Sequence, residues 1–287
     1  MIIGSPTRAA LRILAYVGLT APLMAAQGIA LMVHRDWSRK IPYWYHRQCL
    51  KIFGIRVQRR GRKSREHPTL YVCNHASYLD IPVLASLIYG GSFVAKAEVA
   101  QWPLFGWLAK LQRTVFVERR SNHAARQRDQ IAERLDADDD LILFPEGTSG
   151  DGNRVLPFKS ALFSVAERRP HGAPLVVQPV SIAYTRLDGM PMGRSLRPFF
   201  AWYGDMELGP HVFEALGMGK LTVVVEFHKP ATIDDFQSRK AMAEHCQRVV
   251  ARGLASALSG HSQQLGQPPE VAGGKLGPAG QGGPQPA

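Results

Sequence analysis

The chain has 287 residues, 45% of them hydrophobic and 20% charged, a balance that supports a folded core of one large or two small domains and excludes a disordered or fibrous chain. Thirty-five Lys and Arg against 23 Asp and Glu leave a net charge of +12, which favours anionic partners such as a phospholipid surface or nucleic acid. Nucleic acid is set aside because no zinc-finger spacing or RRM signature occurs; Cys49, Cys73 and Cys246 lack CxxC spacing and read as free thiols.

From the N-terminus, Ile13 to Val33 is an uncharged run of 21 residues, roughly the length a helix needs to cross a hydrocarbon core. Thr20, Gln27 and two glycines soften it, and Pro22 predicts a kink in a spanning helix or a break between two short interfacial ones. Three readings fit: a membrane-embedded helical element on the cytosolic side, a true span, and a cleaved signal peptide, against which the lack of an A-x-A-like site weighs. Arg8 and Arg12 precede the run. Arg35, Arg39, Lys40, Arg47 and Lys51 follow it among Trp37, Tyr43, Trp44 and Tyr45, a mixture that settles at lipid headgroups. Residues 36 to 53 also read as an amphipathic core helix.

Beyond Arg65, short apolar runs alternate with helical stretches, the pattern of an α/β domain with helices over a mixed sheet. Strands are predicted at Thr69 to Cys73, Ser92 to Ala95, Thr114 to Val117, Leu141 to Phe144, Leu175 to Ala183 and Leu221 to Phe227, and helices at 81–89, 98–110, 122–136, 159–168 and 235–257. Gly260 to Ala287 holds 8 Gly and 5 Pro in 28 residues, too little apolar surface to offset its ordering entropy, so disorder is expected there.

Two strand ends carry groups able to do chemistry. After the first predicted strand comes Asn74-His75-Ala76-Ser77-Tyr78-Leu79-Asp80. A carboxylate at the N-cap of the following helix can fold back on the imidazole five residues earlier, fixing its tautomer and stabilising the imidazolium formed when it takes a proton. Taken alone, the pattern equally fits a histidine bonded in a turn with Asp80 only capping a helix. The fourth predicted strand ends in Phe144-Pro145-Glu146-Gly147-Thr148-Ser149-Gly150, a carboxylate and a glycine-rich turn at the place where α/β folds hold ligands. Arg154 and Lys159 follow as phosphate partners, and Lys96 and Arg119 stand after neighbouring strands as a further pair of cations.

In this order, Asn-His-x4-Asp at 74–80, Phe-Val-Glu-Arg at 116–119, Phe-Pro-Glu-Gly-Thr at 144–148 and Val-Gln-Pro-Val at 177–180 resemble the motifs of the glycerolipid acyltransferases, in particular the lysophosphatidic acid acyltransferase family, over roughly residues 70 to 185. Lys96-Ala97-Glu98 and Trp102 to Gly106 resemble the segment between the first two. The resemblance implies an α/β acyltransferase domain on a membrane-associated helical element at the cytoplasmic face of the bacterial inner membrane. Its donor would be the thioester of acyl-carrier protein or coenzyme A, with no other cofactor and no metal, and its acceptor a lysolipid hydroxyl. It implies His75 as general base oriented by Asp80, acceptor placement by Glu146, Gly147 and Thr148, and anion binding by Lys96, Arg119 and Lys159. The organisation expected is an N-terminal helical segment over 1–60, the catalytic domain over 61–258 and a tail over 259–287.

Family frequency favours 1-acyl-sn-glycerol-3-phosphate as acceptor, giving phosphatidic acid. Ser149 departs from the arginine that usually follows this motif, and Pro198 to Leu208 resembles the branch that acylates lyso-ornithine lipid, the alternative acceptor, which lacks glycerol phosphate. A thioesterase and a non-catalytic basic membrane-binding protein are the rivals from other classes.

Overall fold

The computed structural model describes residues 4–102, 104–117 and 131–260. Eight strands form one mixed sheet: β1 (Ile55–Gly61), β2 (Thr69–Cys73), β3 (Ser92–Lys96), β4 (Val115–Val117), β5 (Leu141–Leu143), β6 (Val176–Leu187), β7 (Met190–Pro191) and β8 (Leu221–Phe227). Their order is β1-β8-β6-β2-β5-β3-β4, with β7 appended to β6. β6, β2, β5, β3 and β4 run parallel, while β8 is antiparallel to β6 and parallel to β1. β2 and β8 match their predicted bounds because both are short, mostly apolar and β-branched runs that lie almost wholly buried.

Side chains alternate along β2, so that Tyr71 and Cys73 enter one core and Leu70 and Val72 the other. On the first face lie α2 (Arg35–Phe53), α3 (Asp80–Ala85) and α5 (Leu208–Gly217), which contribute Leu50, Val83 and Ala215. On the second lie a 3₁₀ segment (Ser160–Glu167) and α6 (Arg239–Ser259), contributing Phe163, Met242, Cys246 and Val250. Gly253 of α6 sits so close to β6 that a Cβ would fall 2.4 Å from Ser181 Oγ, which explains a glycine inside that helix. All three cysteines are free and buried.

Several predicted elements differ in the structure. The stretch 98–110 divides into a 3₁₀ turn (Ala97–Gln101) and α4 (Phe105–Leu111), and 159–168 is 3₁₀ rather than α. Of the helix predicted at 122–136, residues 131–136 are helical and the remainder lies outside the described residues, as do Arg119 and 261–287. β1 and α5 have no predicted counterpart, and the sheet takes up the chain at Ile55, before the boundary expected at residue 60.

Pro22 does not divide the N-terminal run: α1 is one helix from Pro6 to Val33. α1 is long and apolar enough to cross a membrane. Leu11, Leu14, Val17, Ile29, Met32 and Val33 are exposed along it, with Trp37 and Trp44 on α2 and Trp107 on α4. Its polar groups instead turn to the domain. Arg12 Nη1 donates to the carbonyls of Leu216 and Met218 at 2.8 and 2.9 Å, capping the C-terminus of α5. Gln27 Nε2 donates to the carbonyls of Ser38 and Leu111 at 3.0 and 2.9 Å.

Candidate active site

Because β2, β5, β3 and β4 are parallel neighbours, their C-terminal ends open on one edge of the sheet. His75 leaves β2 there and Glu146 leaves β5, which brings together two residues 71 apart in sequence. His75 Nδ1 lies 2.8 Å from Asp80 Oδ2, and the imidazole stacks on Phe144 at 4.1 Å between centroids and 18° between planes. The histidine side chain keeps 22% exposure whereas Asp80 has none, so one end of the pair meets solvent and the other is locked in the core. Asp80 is the first residue of α3 rather than its cap, which is Leu79. From that position Oδ2 also accepts the backbone N–H of Ala76 at 2.8 Å and of Ser77 at 3.0 Å.

Ser77 is buried and its Oγ accepts from Leu79 N at 3.3 Å. A nucleophile must be presented to substrate, so this placement argues against a serine hydrolase. Asn74 acts as a brace between strands: its Nδ2 donates to the carbonyl of Ile182 at 2.9 Å and its Oδ1 accepts from Ile182 N at 2.8 Å. Gln178 of the Val-Gln-Pro-Val stretch works away from the dyad, accepting Ser64 N and donating to the carbonyls of Arg62 and His228, each at 2.8 Å.

Glu146 Oε1 accepts His75 N at 3.1 Å, while Oε2 is buried without a hydrogen-bond partner among the described residues. Burial pushes this carboxyl up to about 8. The folded chain therefore holds a proton that the unfolded chain releases near 4.5, so this group lowers stability progressively as pH rises from about 4.5 to about 8. Glu146→Gln is expected to flatten that slope and to be relatively more stable at the alkaline end. Denaturant unfolding at pH 5 and pH 8 checks this, and an unchanged slope would refute it.

Gly147 has φ +67°, and a Cβ there would stand 2.9 Å from Lys159 Nζ, so the lysine ammonium lies directly over this turn. Thr148 is exposed beside it. Lys96 ends β3 at the same edge, half-buried, with no ion pair among the described residues. The structure thus brings His75, Asp80, Glu146, Gly147 and Lys159 into one neighbourhood and leaves Lys96 on the adjacent strand end.

The loop after Glu146 folds onto the dyad, Gly150 N donating to the carbonyl of His75 at 2.9 Å. Ser149 Oγ donates to the carbonyl of Trp202, whose own N–H donates to the carbonyl of Ala76 at 2.8 Å. The Pro198 to Leu208 stretch is thereby stitched to the residue following the histidine. Trp202 packs edge to face with Trp102 at 5.6 Å and with Tyr78 at 6.3 Å between centroids, forming an aromatic wall beside the site. One further group had no local motif: Tyr184 of β6, whose Oη lies 2.5 Å from Asp80 Oδ1.

The Acyltransferase family profile matches residues 54–183. The chain is 45% identical over 250 residues to the lyso-ornithine lipid O-acyltransferase of Brucella abortus, covering 86% of this chain and 93% of that protein. It is 39% identical over 245 residues to the enzyme of the same name from Rhizobium meliloti, covering 84% of each. A 1-acyl-sn-glycerol-3-phosphate acyltransferase of Neisseria gonorrhoeae is 32% identical over 198 residues, 68% of this chain and 73% of that one. The crystal structure of the 1-acyl-sn-glycerophosphate acyltransferase of Thermotoga maritima matches with a TM-score of 0.62 over 87% of this chain and 96% of that chain, a likeness of fold at 22% identity. A family profile that covers the strands leading to His75 and Glu146, and a relative 45% identical along 93% of its own length, place this chain in the acyltransferase family as an acyl-transferring enzyme.

Proposed function

We propose that the protein is a membrane-associated O-acyltransferase that moves a fatty acyl group from the thioester of acyl-carrier protein or coenzyme A to the hydroxyl of a lyso-ornithine lipid. The observation that carries the reaction is the His75–Asp80 hydrogen bond at the open edge of the sheet. With Nδ1 engaged by Asp80, Nε2 is the nitrogen available as base. It takes the proton of the acceptor hydroxyl as that oxygen attacks the thioester carbonyl carbon, and returns the proton to the departing thiolate. A thioester and an alcohol thus become an ester and a thiol, with no acyl-enzyme between them. Asp80 stabilises the transient imidazolium. Glu146, Gly147 and Thr148 place the acceptor, and Lys96 and Lys159 hold its anionic group, a role that the sequence resemblance also gives to Arg119, outside the described residues.

The preference for 1-acyl-sn-glycerol-3-phosphate, drawn from family frequency, is reversed by the relatives. Those named for lyso-ornithine lipid reach 45% and 39% identity, against 32% for the glycerophosphate enzyme of Neisseria. Ser149 supports the same choice, since its hydroxyl is spent on the carbonyl of Trp202 where an arginine would offer a cation to a phosphate. The apolar exposed side of α1 supports attachment to a membrane, for which we propose the cytoplasmic face of a bacterial inner membrane.

The test offers a labelled acyl-carrier thioester to membranes containing the enzyme, with lyso-ornithine lipid and lysophosphatidate in parallel. Product with lyso-ornithine lipid is expected. Product with lysophosphatidate alone would return the acceptor to glycerol phosphate, and release of free fatty acid independent of either lysolipid would make the protein a thioesterase.

A further inference from the structure

Asp80 is enclosed on every side, and its two oxygens are treated differently. Oδ2 accepts three hydrogen bonds, from His75 Nδ1, Ala76 N and Ser77 N, whereas Oδ1 accepts from Tyr184 Oη at 2.5 Å, a contact between residues 104 apart in sequence. Tyr184 is itself fully buried in the core beneath α3. It reaches Asp80 because β6 continues past the end of its neighbour: Val180 pairs with the last residue of β2, and the chain runs on extended to Leu187.

We propose that Tyr184 is a positioning residue for acyl transfer, holding the Asp80 carboxylate so that Oδ2 stays on His75. The proposal rests on His75 being the base. Without the phenol, Oδ1 would be a buried charged acceptor lacking a donor, and turning about the Cβ–Cγ bond to share the three remaining donors would relieve it at the expense of the bond to His75.

The ionisable groups packed around the pair are Cys73 on β2, Tyr78 before α3, Glu146 after β5 and Tyr184 on β6. Asp151 and Arg154 lie on the loop whose Gly152 faces Ala76 and Tyr184. Burial pushes the Cys73 thiol and the Tyr78 and Tyr184 phenols up, so all three stay neutral across the working range; Glu146, at about 8, titrates on its alkaline side.

Tyr184→Phe deletes the one hydroxyl. Its kcat is expected to fall about 10- to 100-fold, with KM for thioester and acceptor held within about twofold. The acid limb of the kcat/KM profile should move to lower pH, because an Asp80 turned from His75 stabilises the imidazolium less. Incorporating 3-fluorotyrosine at 184 preserves shape and strengthens the donor, and it should move the limb the opposite way; it decides the question alone if the phenylalanine variant does not fold. Wild-type kcat in Tyr184→Phe, a fallen kcat with the acid limb in place, or an unmoved limb with fluorotyrosine would each overturn the proposal. Parallel measurement of His75→Ala separates the two readings: an active alanine variant refutes His75 as base, while an inactive one beside a normal Tyr184→Phe refutes only the tyrosine.

Discussion

Replacing His75 by alanine is expected to lower kcat for acyl transfer by about 10² to 10⁴-fold, the range supplied by a positioned general base. Folding should survive the change. The side chain is partly exposed, its backbone N–H still donates to Glu146, and Asp80 keeps three of its four donors in Ala76 N, Ser77 N and Tyr184 Oη. Steady-state transfer from an acyl thioester in mixed micelles, with thermal unfolding alongside, checks both halves. Turnover within a few-fold of wild type would remove His75 from the chemistry. Asp80→Asn is the less clean experiment, because an amide nitrogen turned toward Ala76 N and Ser77 N would meet donors with a donor, so stability and rate would fall together.

The second large effect lies away from the reaction. Asp139 has a fully buried side chain and receives Arg39 of α2, Arg113 after α4, and Arg134 at 3.5 Å from the helical stretch 131–136. Arg39 also donates to the carbonyl of Ala137 at 3.1 Å, so one carboxylate gathers three separate segments. Asp139→Ala would leave guanidinium groups packed against one another with no anion, a loss of about 3 to 5 kcal/mol for a buried ionic site deprived of one partner. Denaturant unfolding is the measurement, and a cost under about 1 kcal/mol would mean that the arginines simply swing out to water. Arg39→Ala should cost less than removing Asp139, since its side chain is itself partly exposed and the carboxylate retains two cations.

What could be read in advance follows the physics of each element. β2 and β8 were legible to the residue because strands buried on both faces are written as mostly apolar, β-branched runs. β1 escaped because it is an edge strand: Ile55-Arg56-Val57-Gln58-Arg59-Arg60-Gly61 places charges between its apolar residues, as unpaired edges do. α5 was hidden by the Leu208-Gly209-Pro210 start that reads as a turn, though a proline in the first turn suits a helix. At the site, His75 and Asp80 were visible because five residues and one turn connect them. Glu146 was visible as a carboxylate at a strand end, but neither its bond to His75 nor the free oxygen could be seen without the sheet. Tyr184 had no local signature, since its partner is supplied by a strand that continues beyond the edge of the sheet. The roles given to Arg119 fall outside the described residues.

The sheet's pairing order has a kinetic consequence. The hydrogen bond from His75 to Glu146 closes a loop of 71 residues, and that from Tyr184 to Asp80 one of 104. Neither can form until β5 and β6 have docked on either side of β2. Parallel pairings across such separations are slow to assemble, because loop-closure entropy must be met before the contacts return anything. On dilution from denaturant, ellipticity from α1, α2 and α6 should therefore recover early. Enzymatic activity should return only with the slowest phase, which makes catalysis a direct clock for completion of the central strands.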